Sequence, residues 1–414
     1  MENSQPRGNC SYRRCMARSL RPFDIVHASS AHPWTDNRVH GRFAAATAEA
    51  GYRTALIAVA TSGEVVGADW RAPDEHTGVY VRRIPARSRA RRLIFSTPQV
   101  VRAALATRAQ IVHLHDPELL WALPILRVLS RVVVYDAHED LPAQVCGKEY
   151  LGRFPKGLAR MLATALVRAG GHADAIVAAT PAIARRFPAR RTTVIRNVPR
   201  LRATDDVARP IGERPLAAVY VGALSRDRGI DVLAGLATPD LPAGWRILTA
   251  GPIDPAVDRT RFDAALRSGR IEHRGLLPPD PARDLLLEAR VGLLPLLPTP
   301  AYSVSIPTKL FEYWAAGLAV IATDTHQWRA LLRGVDCVTW VPPGDSEAVV
   351  RALHQYSDAP DLLERHATAG WELVRAHYRW DEESRRLLDL YEGIFGTAPT
   401  AGVAARTRRE RPHG

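Results

Sequence analysis

Residues 305–324 read SIPTKLFEYWAAGLAVIATD, and within this one stretch a loop containing Pro307 gives way to a short helical pattern and then to an apolar run. Leu310, Tyr313 and Trp314 recur at helical spacing after Pro307, as one face of a helix requires. Gly317 follows the last turn, where a left-handed C-terminal cap favours a residue without Cβ. The run LAVIAT beyond it is short, apolar and rich in β-branched residues, the pattern of a parallel strand buried on both faces. The unit is loop, helix, strand. At the start of such a helix, free backbone N–H groups and the positive dipole end suit an anion such as phosphate. Lys309 and Glu312 are expected in its first turn.

Working outward, the same alternation runs through most of the chain. From residue 23 the strand-like runs are FDIVHASS, RTALIAVA, VYVRRIP, IVHLHDP, RVVVYDAHED, AIVAATP and TTVIRNVP, with helical stretches such as RVHGRFAAATAEAGY and KGLARMLATALVRAGGHA between some of them. Strands alternating with helices predict βαβ units and a doubly wound α/β domain. A polar, charged, Pro-interrupted stretch at 200–215, RLRATDDVARPIGERP, suits a linker. A second series follows, with LAAVYVGALS, WRILTAGP, IEHRGLLP, VGLLPLLP, LAVIATD and CVTWVPPGD, and ends in two helical stretches between Asp345 and Phe395. The expected organisation is a disordered extension at 1–20, a Rossmann-like domain at 21–199, the linker at 200–215, a second Rossmann-like domain at 216–376, a helix at 377–396 returning to the first domain, and a disordered tail at 397–414.

Composition narrows the class. At 414 residues with 46% hydrophobic content, the chain is long enough for two or three domains with buried cores. Cys10, Cys15, Cys146 and Cys337 have neither zinc-site spacing nor a disulfide framework, which fits a reducing compartment and no structural metal. The N-terminus lacks the apolar core of a signal peptide, and no run approaches the roughly 18 apolar residues of a membrane span. A cytoplasmic location follows as the expectation. The net charge of +13 comes almost wholly from arginine, since Lys148, Lys156 and Lys309 are the only lysines. Scattered arginines without interleaved aromatics, and without helix-turn-helix or zinc-finger spacing, argue against nucleic acid as the partner. One cluster stands apart: RRIPARSRARRLIFSTPQVVRAAL (82–105) sets Arg83, Arg87, Arg89, Arg91 and Arg92 beside Leu93, Ile94 and Phe95, a polybasic and apolar pattern suited to peripheral contact with an anionic membrane.

Four segments in order carry a resemblance: SSAHPWTDNRVHGRFAAATAEAGY, then IVHLHDPELL with VVVYDAHEDLPAQV, then YVGALSRDRGIDVLAGL, then SIPTKLFEYWAAGLAVIATD. Together they resemble the family 4 glycosyltransferases, over nearly everything from Asp24 to Tyr391. The resemblance implies the GT-B fold, two Rossmann-like domains facing across a cleft, with a nucleoside-diphosphate sugar in the C-terminal domain and the acceptor in the N-terminal one. It also implies transfer with retention and without a bound metal or other cofactor, the donor, by default a UDP sugar, being a co-substrate. The nearest likeness is to bacterial members that build surface glycans or glycosylate small molecules, so the acceptor is expected to be a glycan, a lipid-linked saccharide or a small molecule.

Within that frame Glu312 is expected to take both hydroxyls of the donor ribose, a geometry a carboxylate matches well. Gly222 lets the backbone approach the phosphates, and Arg228, Arg226 and Lys309 are the candidates to neutralise the leaving diphosphate. Ser305 and Thr308 complete the donor set. The family pattern departs at two places: Ala223 stands where an Arg is usual, and Val304 where a second Glu is usual. On the acceptor side, YDAHED sets His138 and Glu139 just past a buried strand, at the sheet edge where open α/β sheets bind ligands. His138 is expected to position the transferred sugar, with Asp36, His115, Asp116, Glu118 and Glu139 lining the acceptor pocket. The His and Asp spacing fits no metal-binding pattern. Two other readings share the fold, a non-catalytic glycan- or membrane-binding protein and a sugar-nucleotide 2-epimerase, and product formation separates them from a transferase.

Overall fold

The computed structural model describes residues 23–61, 63–64, 66–67, 70, 72–129, 131–142, 156–201, 210–299, 302 and 307–396. The tails at 1–20 and 397–414, residues 202–209 of the linker, and Ser305 with its neighbours Ser303 and Val304 lie outside the described residues. All thirteen strand-like runs form strands, and the chain divides into two compact units, each holding one parallel sheet.

Unit 1 takes in the residues up to Glu139, Met161–Arg196 and those from Ser384 onward. Its strands are β1 (Ile25–Pro33), β2 (Thr54–Val59), β3 (Tyr80–Ile84), β4 (Ile111–Leu114), β5 (Val132–Ala137), β6 (Ala175–Ala178) and β7 (Thr192–Val194), in the order β3-β2-β1-β4-β5-β6-β7. The chain steps out from β1 to β3 and then returns to β4 beside β1, so the order reverses between β1 and β4, the place where doubly wound sheets bind ligands. Right-handed crossovers put the connections that enter β4, β5 and β6 on one face of the sheet; these carry α2 (Thr97–Ala106), α3 (Leu123–Val128) and α4 (Lys156–Gly170), of which Met161 onward belongs to unit 1. The helix expected after β1 starts as a π-helical segment, Val39–Ala44, before becoming α1 (Ala45–Glu49).

The parallel register of β1 and β4 pairs His27 with His113, and the two-residue period of a strand places His115 on the same face as His113. The three imidazoles are fully buried and stack, with ring centroids 4.4 Å apart for His113 and His115 and 5.2 Å for His27 against each. The C-terminal residues complete this core: the Tyr391 hydroxyl lies 2.5 Å from His113 Nδ1, and the Phe395 ring stacks on Tyr52.

Unit 2, formed by Asp140–Arg160 and Asn197–Glu383, repeats the design with β8 (Ala217–Val221), β9 (Arg246–Ala250), β10 (Ile271–His273), β11 (Val291–Leu294), β12 (Ala319–Thr323) and β13 (Val338–Val341). The order β10-β9-β8-β11-β12-β13 reverses between β8 and β11. Helix α5 (Ile230–Gly235) follows β8, and α6 (Thr308–Ala315) lies between β11 and β12; between Asp345 and Phe395 there are three helices rather than the two expected, a helix at Ser346–Asp358, α7 (Pro360–His377) and α8 (Trp380–Phe395), the last passing into unit 1 at Ser384. Helix α6 begins after Pro307 and ends at Gly317, whose φ of +69° lets its N–H reach the Trp314 carbonyl at 2.9 Å while Leu318 N–H reaches Tyr313 at 3.0 Å. That is the expected left-handed cap. Leu310, Phe311, Tyr313 and Trp314 are buried against the sheet and α7. Glu312 stands in the second turn, one turn deeper than the sequence reading placed it, because the helix counts from Thr308.

The end of the expected linker is part of unit 2. Ile211 and Arg214 are buried, and the Arg214 guanidinium donates to the carbonyls of Ala289 at 3.2 Å and Ala316 at 2.9 Å. It thereby satisfies a carbonyl at the C-terminus of α6, a group that helix geometry leaves without an internal partner. Among the described residues no helix is long and apolar enough to cross a membrane.

Candidate functional site

In unit 2 the segment after β8 and the N-terminus of α6 meet at the point where the strand order reverses. Gly222 has φ +147°, and a Cβ on it would fall 2.3 Å from Lys309 Cε and 2.4 Å from Nζ. Only glycine leaves room for that lysine. Lys309 lies across the Gly222 backbone with Nζ 5.8 Å from the centre of the buried Tyr220 ring. Burial of the ammonium pulls its pKa down to about 8, opposed in part by Glu312 and assisted by the Arg228 charge; the residue as a whole is half-buried. Arg228 ends a short 3-10 turn, Arg226–Arg228, and its Nε donates to the Tyr302 hydroxyl at 2.9 Å. The sheet is braced beneath: Val221 N–H donates to the Tyr313 hydroxyl at 3.3 Å, and the Tyr220 hydroxyl donates to the Ala223 carbonyl at 2.9 Å.

The structure therefore brings together Gly222, Arg228, Lys309 and Glu312, four of the residues chosen from the sequence. Thr308 is half-buried at the first position of α6, Arg226 is exposed, and Ser305 lies outside the described residues. Tyr302 and Tyr220 were not singled out in the sequence; Tyr302 had no local signal, because what places it is the Arg228 guanidinium 74 residues away. Two cations of different build beside a helix N-terminus make an anion subsite, with a fixed fork in Arg228 and a point charge in Lys309.

In unit 1 the ends of β1, β4 and β5 carry a buried ionic network. Asp116 Oδ2 accepts from the Ser29 hydroxyl at 2.8 Å and from the N–H groups of Ser30 and Ala31 at 2.6 and 3.2 Å, where β1 leaves its register with β2. Its other oxygen lies 3.1 Å from His32 Nδ1. Burial opposes protonation of His32, but the hydrogen bond and charge of Asp116 outweigh it and push the pKa up to about 9. Burial would raise the Asp116 carboxyl; His32 and the three donors hold it well below the usual range instead.

Asp136, at 1% exposure, receives both Arg38 Nε and Nη2 at 2.9 and 2.7 Å, and lies 3.1 Å from His115 Nδ1 and 3.5 Å from His138 Nδ1. Against burial, the Arg38 charge and these imidazoles keep its carboxyl well below the ordinary range. His138 keeps some exposed surface and packs edge-on to His32 at 5.1 Å. Its Nδ1 faces Asp136.

The expected acceptor residues divide. His115 and Asp116 are turned inward, where they hold Asp136 and His32 respectively. Asp36 caps the helical segment after β1, accepting from the N–H groups of Arg38 and Val39 at 2.8 Å each. Glu118 is held by Arg92 at 2.5 and 3.0 Å and accepts from the Ser30 hydroxyl at 2.7 Å, and Glu139 is exposed. His32 and Arg38 were not among the selected residues. His32 stood in a quoted motif, whereas nothing near Arg38 announces a carboxylate 98 residues on.

Among the described residues, His27, His113 and His115 form a group whose ligand-type nitrogens lie within 4.8 Å of one another. Their rings stack rather than converge, and His27 Nδ1 is hydrogen-bonded to His115 Nε2 at 2.9 Å. Burial holds all three below the usual imidazole pKa. The arrangement is a neutral hydrogen-bonded stack rather than a coordination sphere.

Comparison with known proteins finds a family match in each half of the chain. The family described as Glycosyltransferase Family 4 matches residues 37–198, and the family described as Glycosyl transferase-like matches residues 234–389. A phosphatidyl-myo-inositol mannosyltransferase of Mycolicibacterium smegmatis is 26% identical over 190 residues, 45% of this chain and 47% of its own, so the chain spans about half the length of that relative. Among solved structures, the sucrose-phosphate synthase of Thermosynechococcus elongatus superposes with a TM-score of 0.69 at 17% identity, over 90% of this chain and 98% of its own. The Anabaena protein HepE, solved with UDP, superposes with a TM-score of 0.61 at 12% identity, over 89% and 99%. With two parallel sheets of this topology and a family match in each half, the chain belongs to the family 4 glycosyltransferases of the GT-B fold.

Proposed function

We propose that the chain transfers a sugar from a nucleoside diphosphate donor, a UDP sugar, to an acceptor hydroxyl with retention of anomeric configuration, in bacterial surface-glycan or natural-product synthesis. The observation that carries this reading is Lys309 laid over Gly222 beside Arg228 at the reversal of the unit 2 sheet. A diphosphate leaving group gains negative charge as the bond from sugar C1 to the phosphate oxygen breaks, and fixed cations in a desolvated site stabilise that charge as it develops. Glu312 takes the ribose hydroxyls. The acceptor oxygen forms its bond to C1 on the face that the phosphate leaves, and its proton passes to the departing diphosphate, so the reaction calls for no separate strong base. His138, oriented through Asp136, accepts a hydrogen bond from the transferred sugar. The UDP in HepE, a protein of like fold, supports the choice of nucleotide.

Calorimetric titration with UDP, GDP, ADP and their sugars tests the reading. UDP is expected to bind, and Glu312→Ala, folded by circular dichroism, to weaken it at least about tenfold, a loss of about 1.4 kcal/mol. If no nucleotide binds to the folded protein, the reading gives way to that of a non-catalytic binding protein of the same fold.

A further inference from the structure

Twelve large apolar side chains are exposed among the described residues, and nine of them fall in three short segments of unit 1. The first holds Leu93, Ile94 and Phe95, in a π-helical turn at Arg92–Ser96 just before α2; Ile94 is 64% exposed. The second, around α3, holds Trp121, Ile125, Val128 and Leu129, with Val128 83% exposed. The third, on α4, includes Met161 and Leu162, the former 59% exposed. Scattered single residues of this kind need no explanation, but contiguous ones do.

These segments are neighbours. All three lie in connections that right-handed crossovers place on one face of the unit 1 sheet. Arg92, in the first, is paired with Glu118 at the start of the second, and a Cβ on Gly170 at the end of α4 would lie 3.2 Å from Leu120 Cδ1. Arg127 of α3 donates to the carbonyl of His172, just past α4. The apolar groups thus share one face.

The charge on that face has one sign. Stretch 86–95 contributes Arg87, Arg89, Arg91 and Arg92; stretch 121–131 contributes Arg127 and Arg131; stretch 161–168 contributes Arg168; and none of the three contains Asp or Glu. The bordering acids, Glu118 and Asp174, are paired with Arg92 and Arg127. A protein partner of ordinary composition would meet an excess of positive charge here, whereas an anionic bilayer offers both what the arginines need and an apolar layer for the side chains between them.

We infer that this face of unit 1 docks on an anionic lipid bilayer, with Leu93, Ile94, Phe95 and Val128 entering the headgroup region and the surrounding arginines meeting lipid phosphates. Contact is peripheral and reversible, and it would deliver a membrane-embedded acceptor to the sheet edge that carries His138.

Co-sedimentation of the full chain with phosphatidylcholine vesicles, with and without phosphatidylglycerol, tests it. Binding is expected only to the anionic vesicles and is expected to weaken at high salt, as surface charges are screened. The double variants Ile94→Ser with Phe95→Ser, and Val128→Ser with Met161→Ser, should each lower the bound fraction at least about tenfold while keeping the thermal midpoint, because the altered side chains are exposed. Failure of the unaltered protein to bind anionic vesicles overturns the inference, as does binding that survives both double variants. Sedimentation equilibrium covers the other occupant: self-association abolished by the same variants, without vesicle binding, would assign the face to a second copy and equally overturn it.

Discussion

Lys309 is an ammonium held in place by an absence, the missing side chain of Gly222. Taking an amine out of water disfavours its charged form, and the pull down to about 8 puts its titration within reach of a binding experiment. An ordinary lysine would stay charged to about 10.4. On the proposed reading the protonated form holds the nucleoside diphosphate, so affinity for UDP is expected to decline as pH rises from about 7 through about 8. In Lys309→Met the affinity is lower and that inflection is gone, and calorimetry across the pH range reads both. An inflection that persists in Lys309→Met would move the titrating group elsewhere. Lys309 was legible in the sequence because it is one of three lysines in a chain that otherwise uses arginine. Arg38 was not, since a bidentate pair with Asp136 is a fact of topology, and no spacing along the chain encodes it.

The helices around the proposed donor site depend on how closely they approach. Gly370 of α7 faces Trp314 of α6, and a Cβ there would lie 2.2 Å from Trp314 Cδ1. Trp314 is fully buried and cannot move aside. Gly370→Ala should therefore destabilise the protein by about 1–3 kcal/mol through overpacking, against the gain of up to ~1 kcal/mol that helix propensity alone promises. Gly393 of α8 supplies the control, with nothing within 4 Å of its Cβ position. There Gly393→Ala should stabilise by about 0.5–1 kcal/mol, and urea unfolding of the two variants reads the opposite signs. Equal effects would mean that α7 shifts to accommodate the methyl group. Elements of this kind were legible where local chemistry decides them. The β-branched runs became strands, and Pro307 and Gly317 bounded α6. The burial of 210–215 was not legible, because a charged, Pro-containing stretch reads as linker until Arg214 finds carbonyls 75 and 102 residues away. Nor was the π-helical start of the segment at Val39–Ala44, since periodicity distinguishes helix from strand and not one helical pitch from another.

For the molecule as a whole, the two units differ in how their stability should respond to acid: unit 2 has His273 and His366 held low by burial, and unit 1 has more such groups and is the more sensitive. His27, His113 and His115 are buried and held below the usual pKa first by burial, to which the His115 charge adds for His27 and His113 while Asp136 opposes it at His115, and His40 is displaced the same way by burial. In the unfolded chain these groups protonate near pH 6.5. A depressed folded pKa means that their contribution is present above about 6.5 and is lost as pH falls, at up to about 1.4 kcal/mol per pH unit for each group, or about 4 for the stack. Asp116 and Asp136 are also depressed, but an aspartate's window opens only below about pH 4, so they add nothing between pH 5 and 6.5. His32 has the opposite sign: its folded pKa is raised to about 9, so its stabilisation is complete below about 6.5 and fades as pH rises toward 9. Unit 1 should therefore be most stable near pH 6.5, losing stability steeply toward acid, where several groups act, and gently toward alkali, where one does. Hydrogen exchange read by mass spectrometry separates the units and checks this, with unit 1 peptides expected to lose protection between pH 6.5 and 5 after correction for intrinsic exchange. His113→Phe keeps a planar ring against Tyr391 and His115 while removing one titrating group, so the acid slope should fall by about 1.4 kcal/mol per pH unit. Unchanged protection at pH 5 would mean that the stack is protonated or hydrated in solution, and the acid response would then have to come from the carboxylates at a lower pH.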